Sequence, residues 1–178
     1  MIRIVLFHGL VAGAIVAACM VTAMSLGIQG GAVGMAVGYL GMLLALTMVF
    51  VGIRQYRDRE LGGAIRFPTA LLVGFGISVV ATLFYAIGWE AYLYATDYRF
   101  MPEYIAATLE AKRSAGATPA ELAKLSAEMQ GYLDIYANPL TRFAMTMAEI
   151  APVALLVTLV SAALLRRPGF MPAHTRPA

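Results

Sequence analysis

From Ile4 to Ile53 the chain carries no Asp, Glu, Lys or Arg. A single membrane crossing takes about 20 residues, so a run of this length must double back. The turn is read at Gly27-Ile28-Gln29-Gly30-Gly31, where glycines surround the only side-chain amide of the stretch. Two spanning helices follow, at 4–26 and 32–53. Later apolar blocks predict two more, at 69–93 and 143–165. Hydrocarbon offers no partner for backbone N–H and C=O groups, and a helix satisfies its own. Strands of a membrane barrel would alternate polar and apolar residues, and these segments do not.

The intervening pattern is different. Residues 54–68 form a charged loop, and residues 94–142 form the only sizeable region outside the spans. There Pro102 suits the start of a short helix that includes Tyr104, Ile105 and Leu109 and ends at Ala115-Gly116. Thr118-Pro119-Ala120-Glu121 reads as a capping box with proline in the first turn. The helix it opens carries Leu122, Leu125, Met129, Tyr132, Leu133 and Tyr136 on one stripe and stops at Asn138-Pro139. An apolar stripe needs a partner. The favoured partner is the top of the bundle or the membrane interface, with another chain as the alternative. The predicted fold is an all-α integral membrane protein. It has one four-span domain, 1–167, an amphipathic helical hairpin between spans 3 and 4, and a disordered Pro-rich tail, 168–178, that holds His174.

Composition agrees with this reading. Of 178 residues, 61% are hydrophobic and 13% charged, with a mean hydropathy of +0.77. Soluble domains average about 45–50% apolar and about 25% charged. Basic residues then orient the bundle. Arg3, Arg54, Arg57, Arg59, Arg66, Arg166, Arg167 and Arg176 fall on one side, and the other side mixes both signs. The positive-inside rule puts both termini in the cytoplasm. The net charge of +3 is therefore a topological signal and needs no nucleic-acid partner.

Met1-Ile2-Arg3 and its apolar run also resemble a signal peptide, with Val21-Thr22-Ala23 as a cleavage site. Val16-Ala17-Ala18-Cys19 fits a lipoprotein signal. The apolar run continues through Met20, Val21, Met24 and Leu26, which favours an uncleaved span with Cys19 as a small buried side chain. A lone cysteine excludes an intrachain disulfide. Gly9 and Gly13, with Ala17, form one small-residue row, and Gly30, Gly34 and Gly38, near Gly41, form another. Such rows let helices approach closely. Packing of helices 1 and 2 on each other is the expectation, with a homo-oligomer seam as the alternative.

Ionisable groups at membrane depth are default site candidates because burying them is costly. They are His8, Glu90 in Trp89-Glu90-Ala91-Tyr92, and Glu149 three residues before Pro152. The two glutamates are expected in the same half of the bilayer. They could share a proton, bind a cation, or pair with Arg99 or Arg142. Glu90 also stands among the interfacial aromatics Trp89, Tyr92, Tyr94 and Tyr98. HExxH, GxSxG, the P-loop and metal-ligand spacings are missing from the sequence, so no catalytic residue, cofactor or metal site is expected and the chain reads as a non-enzyme.

Tyr39-Leu40-Gly41-Met42, Val49-Phe50-Val51-Gly52-Ile53-Arg54-Gln55-Tyr56-Arg57-Asp58, Gly62-Gly63 and Ile65-Arg66-Phe67 stand in order. Together with Tyr136-Ala137-Asn138-Pro139 and Glu149-Ile150-Ala151-Pro152, they resemble the domain of unknown function 4199 family over almost the whole chain. The resemblance implies a small multi-span bacterial inner-membrane protein and no particular activity. The block Arg54, Tyr56, Arg57, Asp58 with Gly62 and Gly63 is its most specific part. That loop is expected to act as a structural turn, with anionic lipid headgroups or a cytosolic protein as alternative contacts. The functional expectation is an accessory, scaffold or self-associating bundle. The alternative is a small transporter or proton-coupled carrier using Glu90 and Glu149.

Overall fold

The computed structural model describes residues 1–28, 31–167 and 169–172, and every regular element among them is an α-helix. These are α1 (Ile2–Ser25), α2 (Gly31–Glu60), α3 (Phe67–Ala95), α4 (Phe100–Ser114), α5 (Pro119–Ala137) and α6 (Pro139–Leu165). Four are long and apolar enough to cross a membrane: Ile2–Ser25, Ala32–Glu60, Phe67–Ala95 and Pro139–Leu165. They form the bundle. α1 packs on α2 and α3, and α6 packs on the same two helices. Val49 and Ile53 of α2, Val73 and Ile77 of α3, and Ala162 and Leu165 of α6 build the core. Leu40, Phe75 and Leu156 face outward and are exposed, as lipid-facing side chains of a multi-pass membrane protein should be.

Two expected boundaries move. The first charges after Ile53 mark the edge of the apolar zone, but the helix does not end there. α2 continues two more turns to Glu60, so Arg54, Tyr56, Arg57 and Asp58 are helical and the connection shrinks to 61–66. Gly62 (φ +68°) and Gly63 (φ +97°) make the reversal, a backbone region that other residues enter only at a cost. The Gly63 N–H closes the helix end on the Arg57 carbonyl at 2.9 Å. Pro68 then lies in the first turn of α3, after an extended Arg66. At the other end α6 starts at Pro139, earlier than 143, because Asn138 caps it by accepting from the Leu140 N–H at 2.9 Å.

α1 and α2 pack on each other as expected, but the α1 glycine row serves another partner. A Cβ on Gly9 would sit 2.5 Å from Val80, and one on Gly13 would sit 2.7 Å from Phe84. The α1 row therefore seats α3, and α2 packs elsewhere on α1. On α2, a Cβ on Gly41 would lie 3.2 Å from Cys19, while one on Gly38 would meet nothing within 4 Å. Gly30 lies outside the described residues.

The hairpin also departs from expectation. The capping box at Thr118 and Glu121 forms, yet neither α4 nor α5 has a buried residue. Their half-buried positions, Tyr104, Ile105 and Leu109 on α4 and Leu122, Leu125, Met129 and Leu133 on α5, fall on the faces where the two helices meet. The two helices thus cover much of each other's stripe, while the Tyr136 end meets Trp89 of α3 and Tyr104 reaches the space between the spans; Tyr132 stays exposed.

Candidate functional site

Three polar constructions stand out against the apolar bundle. The first joins the hairpin to the spans. α3 ends in two successive left-handed residues, Asp97 (φ 52°) and Tyr98 (φ 55°), and the Tyr98 N–H bonds back to the Leu93 carbonyl at 2.8 Å. The Tyr98 ring lies 5.1 Å from the Arg142 guanidinium, and the Tyr136 ring lies 5.6 Å from it. Arg142 is 3% exposed and forms a forked pair with Glu90, Nε to Oε1 at 2.6 Å and Nη2 to Oε2 at 2.7 Å. Its Nη1 donates to the Tyr136 carbonyl at 2.6 Å. Trp89 donates its indole N–H to the Tyr136 hydroxyl at 2.7 Å and meets Phe100 edge-on at 4.9 Å. Burial holds the Tyr136 phenol above its usual range, against the lowering influence of the Trp89 hydrogen bond and Arg142. It therefore stays a neutral partner. A planar guanidinium with two parallel bonds and stacked rings is a positioning device that lysine could not reproduce.

The second construction lies at the opposite end of the bundle. Arg57 is 1% exposed. Its Nε donates to Asp58 Oδ1 at 2.6 Å, Nη1 to the Phe170 carbonyl at 2.9 Å and Nη2 to the Met171 carbonyl at 2.5 Å. Phe170 packs edge-on against Phe50 at 6.3 Å. Asp58 is shared with Arg54 at 3.5 Å. Residues 169–172 therefore belong to the fold, contrary to the expected disordered tail from 168 on; His174 lies outside the described residues. Arg57 leaves the set of headgroup candidates, whereas Arg59, Arg66, Arg166 and Arg167 remain exposed.

The third is a cavity of about 260 Å³ between the spans, on the hairpin side. Val16, Cys19 and Met20 of α1 and Gly34, Gly38 and Gly41 of α2 wall it, Tyr85 and Glu149 supply polar groups, and Phe100 and Tyr104 of α4 also line it. The missing side chains of the α2 glycine row are what leave it open. Glu149 has no hydrogen-bond or ion-pair partner among the described residues.

The two glutamates thus have different surroundings: Glu90 is held by Arg142, and Glu149 borders a cavity that Glu90 does not line. His8 is a packing residue. It is buried, its Nδ1 bonds to the Ile4 carbonyl at 2.9 Å, and its ring fits where Gly52 has no Cβ, a point only 3.1 Å from its Cγ. Gly62 and Gly63 are the turn. Trp89 with Tyr136, Phe170, and Tyr85 with Phe100 and Tyr104 were not singled out as site residues. The available hints were that Trp89 is the lone tryptophan and Phe170 the lone aromatic of the tail. Among the described residues no three His, Cys, Asp or Glu side chains gather as a metal ion would need.

The model of the family described as "Protein of unknown function (DUF4199)" matches residues 8–167. The chain belongs to the DUF4199 family. Comparison with curated proteins finds no match, and comparison with solved structures finds none. The DUF4199 match covers α1 from His8 onward and all of α2 to α6, and it includes Arg57, Glu90, Arg142 and Glu149.

Proposed function

We propose that this DUF4199 protein is a non-enzymatic accessory protein of the bacterial inner membrane that self-associates through its α4–α5 hairpin, with both termini cytoplasmic and the hairpin outside. The observation that carries this reading is the mounting of the hairpin: Glu90, Arg142, Trp89 and Tyr136 join it to α3 and α6 at a fixed base. Beyond that base it exposes Tyr132 and Ile135. Residues 94–142 hold six acidic and five basic side chains, so two copies meet there with little net charge repulsion. Exposed Arg59, Arg66, Arg166 and Arg167 support a cytoplasmic Gly62–Gly63 end. There each would attract anionic headgroups by about 1 kcal/mol. The carrier reading loses one of its two groups to the Arg142 pair and rests on Glu149 alone.

The test uses Cys19→Ser as background, with Leu61→Cys and Ala117→Cys introduced singly. A membrane-impermeant maleimide should label Ala117→Cys on intact spheroplasts and Leu61→Cys only after lysis. Labelling of both from one side would overturn the topology. A photo-crosslinker at Ile135 should give a product of twice the chain mass in native membranes. A product confined to the monomer would remove self-association through the hairpin.

A further inference from the structure

We infer that the cavity beside Glu149 is a binding site for an organic ammonium cation with a small apolar body. The inference is independent of the hairpin reading.

Chemistry and shape agree on this ligand class. Among the described residues Glu149 is the only charged side chain lining the cavity; it is itself accessible, and no cation of the protein pairs with it. A carboxylate at this depth is stabilised by a cation brought to it. Three aromatic rings, Tyr85, Phe100 and Tyr104, share the lining. Aromatic faces attract cations through their quadrupoles, and such rings beside a carboxylate are the usual surroundings of a bound ammonium group. The opposite wall is apolar or slim: Val16, Cys19, Met20 and the glycines of α2. That wall suits a hydrocarbon body and supplies no counter-charge. A volume of about 260 Å³ is slightly below the range of roughly 300–1,000 Å³ for drug-sized ligands, which limits the guest to a small one. An inorganic ion would leave most of the apolar wall unused. Glu149 also stands one residue after Ala148, whose carbonyl has lost its helical partner because Pro152 has no N–H. An acceptor is thus freed next to the carboxylate in sequence.

The ammonium group could belong to a soluble amphiphilic amine or to a phospholipid headgroup, and the experiment separates these sources. The full chain in maltoside micelles, which contain no ammonium, is titrated with benzyltrimethylammonium by calorimetry, with its uncharged tert-butyl analogue as control. Saturable one-to-one binding of the cation and much weaker binding of the neutral analogue are expected. Glu149→Gln should weaken binding about tenfold or more. Gly38→Leu should abolish it by filling the space that a Gly38 side chain would enter, where nothing lies within 4 Å. That variant retains the carboxylate and is screened for wild-type helicity, so it stays informative should Glu149→Gln fail to fold. Glu128→Gln, on the exposed face of α5, should bind like the wild type. Cys19 gives a second readout: the cation should slow its alkylation in the wild type and leave it unchanged in Gly38→Leu. Repeating the titration in nanodiscs of phosphatidylglycerol, with or without phosphatidylethanolamine, identifies the source. Competition by phosphatidylethanolamine assigns the site to lipid, and its absence assigns the site to a soluble amine. Equal binding of the neutral analogue, wild-type affinity in Glu149→Gln, or no saturable binding to the folded wild type would each overturn the proposal.

Discussion

Arg142 and Glu90 form a pair whose members are unequally buried: 3% of the Arg142 side chain is exposed against 32% for Glu90. Removing either side therefore has a different cost. Arg142→Gln severs both bonds to Glu90 and the bond to the Tyr136 carbonyl, and is expected to cost about 2–4 kcal/mol. Glu90→Gln keeps an acceptor in place and leaves Arg142 its carbonyl and two rings. About 1–2 kcal/mol is expected there. The double variant should cost less than the sum of the two, because both changes remove the same contacts. Arg142→Lys should rescue little, since a point charge cannot make two parallel bonds and a third to a carbonyl. Unfolding of the four variants in mixed micelles measures the coupling, and strict additivity would show that the two side chains do not act as a unit.

Each helix was legible to a different depth, and the hairpin shows the favourable case. Thr118 and Glu121 are close in sequence, and their mutual bonds need only the local chain: Thr118 N–H to Glu121 at 2.8 Å and Glu121 N–H to the Thr118 hydroxyl at 3.3 Å. The Thr118 backbone bond, and then its hydroxyl, hold the Glu121 carboxyl below its ordinary value of 4.5. A carboxylate with a lowered folded pKa stabilises above the unfolded value and loses that contribution as pH falls through the folded one. Hydrogen-exchange protection in the first turn of α5 should accordingly be flat above the ordinary carboxyl value and decline as pH falls below it. Thr118→Ala should lower it by about 1 kcal/mol at neutral pH and flatten the acid response. Protection that is independent of pH in the wild type would refute the role given to Glu121. The spans were equally legible as apolar runs, but their ends and partners were not. Charge at Arg54 reports where lipid stops, while the helix runs on to Glu60, just before φ turns positive at Gly62. A glycine row says that something approaches closely. Only the assembled bundle shows that Gly9 meets Val80 and that Gly38 meets open space. Glu90 could be assigned a choice of arginines from sequence, and the assembled bundle makes the choice Arg142, while Arg99 turns to the Thr96 carbonyl.

Over the whole molecule, α6 is clamped at both ends by arginines that other elements help to satisfy. Arg142 near its start is tied to Glu90 of α3, and the segment after its end returns to give two carbonyls to Arg57 of α2. Between these clamps α6 carries Pro152 and Glu149, and it is tied to α3 by the Ser78–Thr158 hydroxyl pair at 3.1 Å. The helix bordering the cavity is thus held at its ends and middle while one of its backbone bonds is missing. The Arg57 clamp could not be read from the sequence, because its partners lie 113 and 114 residues away in a segment whose composition suggests disorder. It yields a test in which tail and arginine must be varied together. Deleting residues 168–178 removes both carbonyls and the Phe170 ring, and is expected to cost about 2–3 kcal/mol. Arg57→Met in the full chain removes a buried charge and three hydrogen bonds and should cost a similar amount. With the tail already absent, however, the same substitution should cost less than about 1 kcal/mol, since the guanidinium has lost two of its three acceptors. Micellar unfolding of the four proteins checks the cycle. Independent effects would mean that the tail stabilises the bundle through Phe170 alone and that the buried Arg57 answers to something other than the chain end.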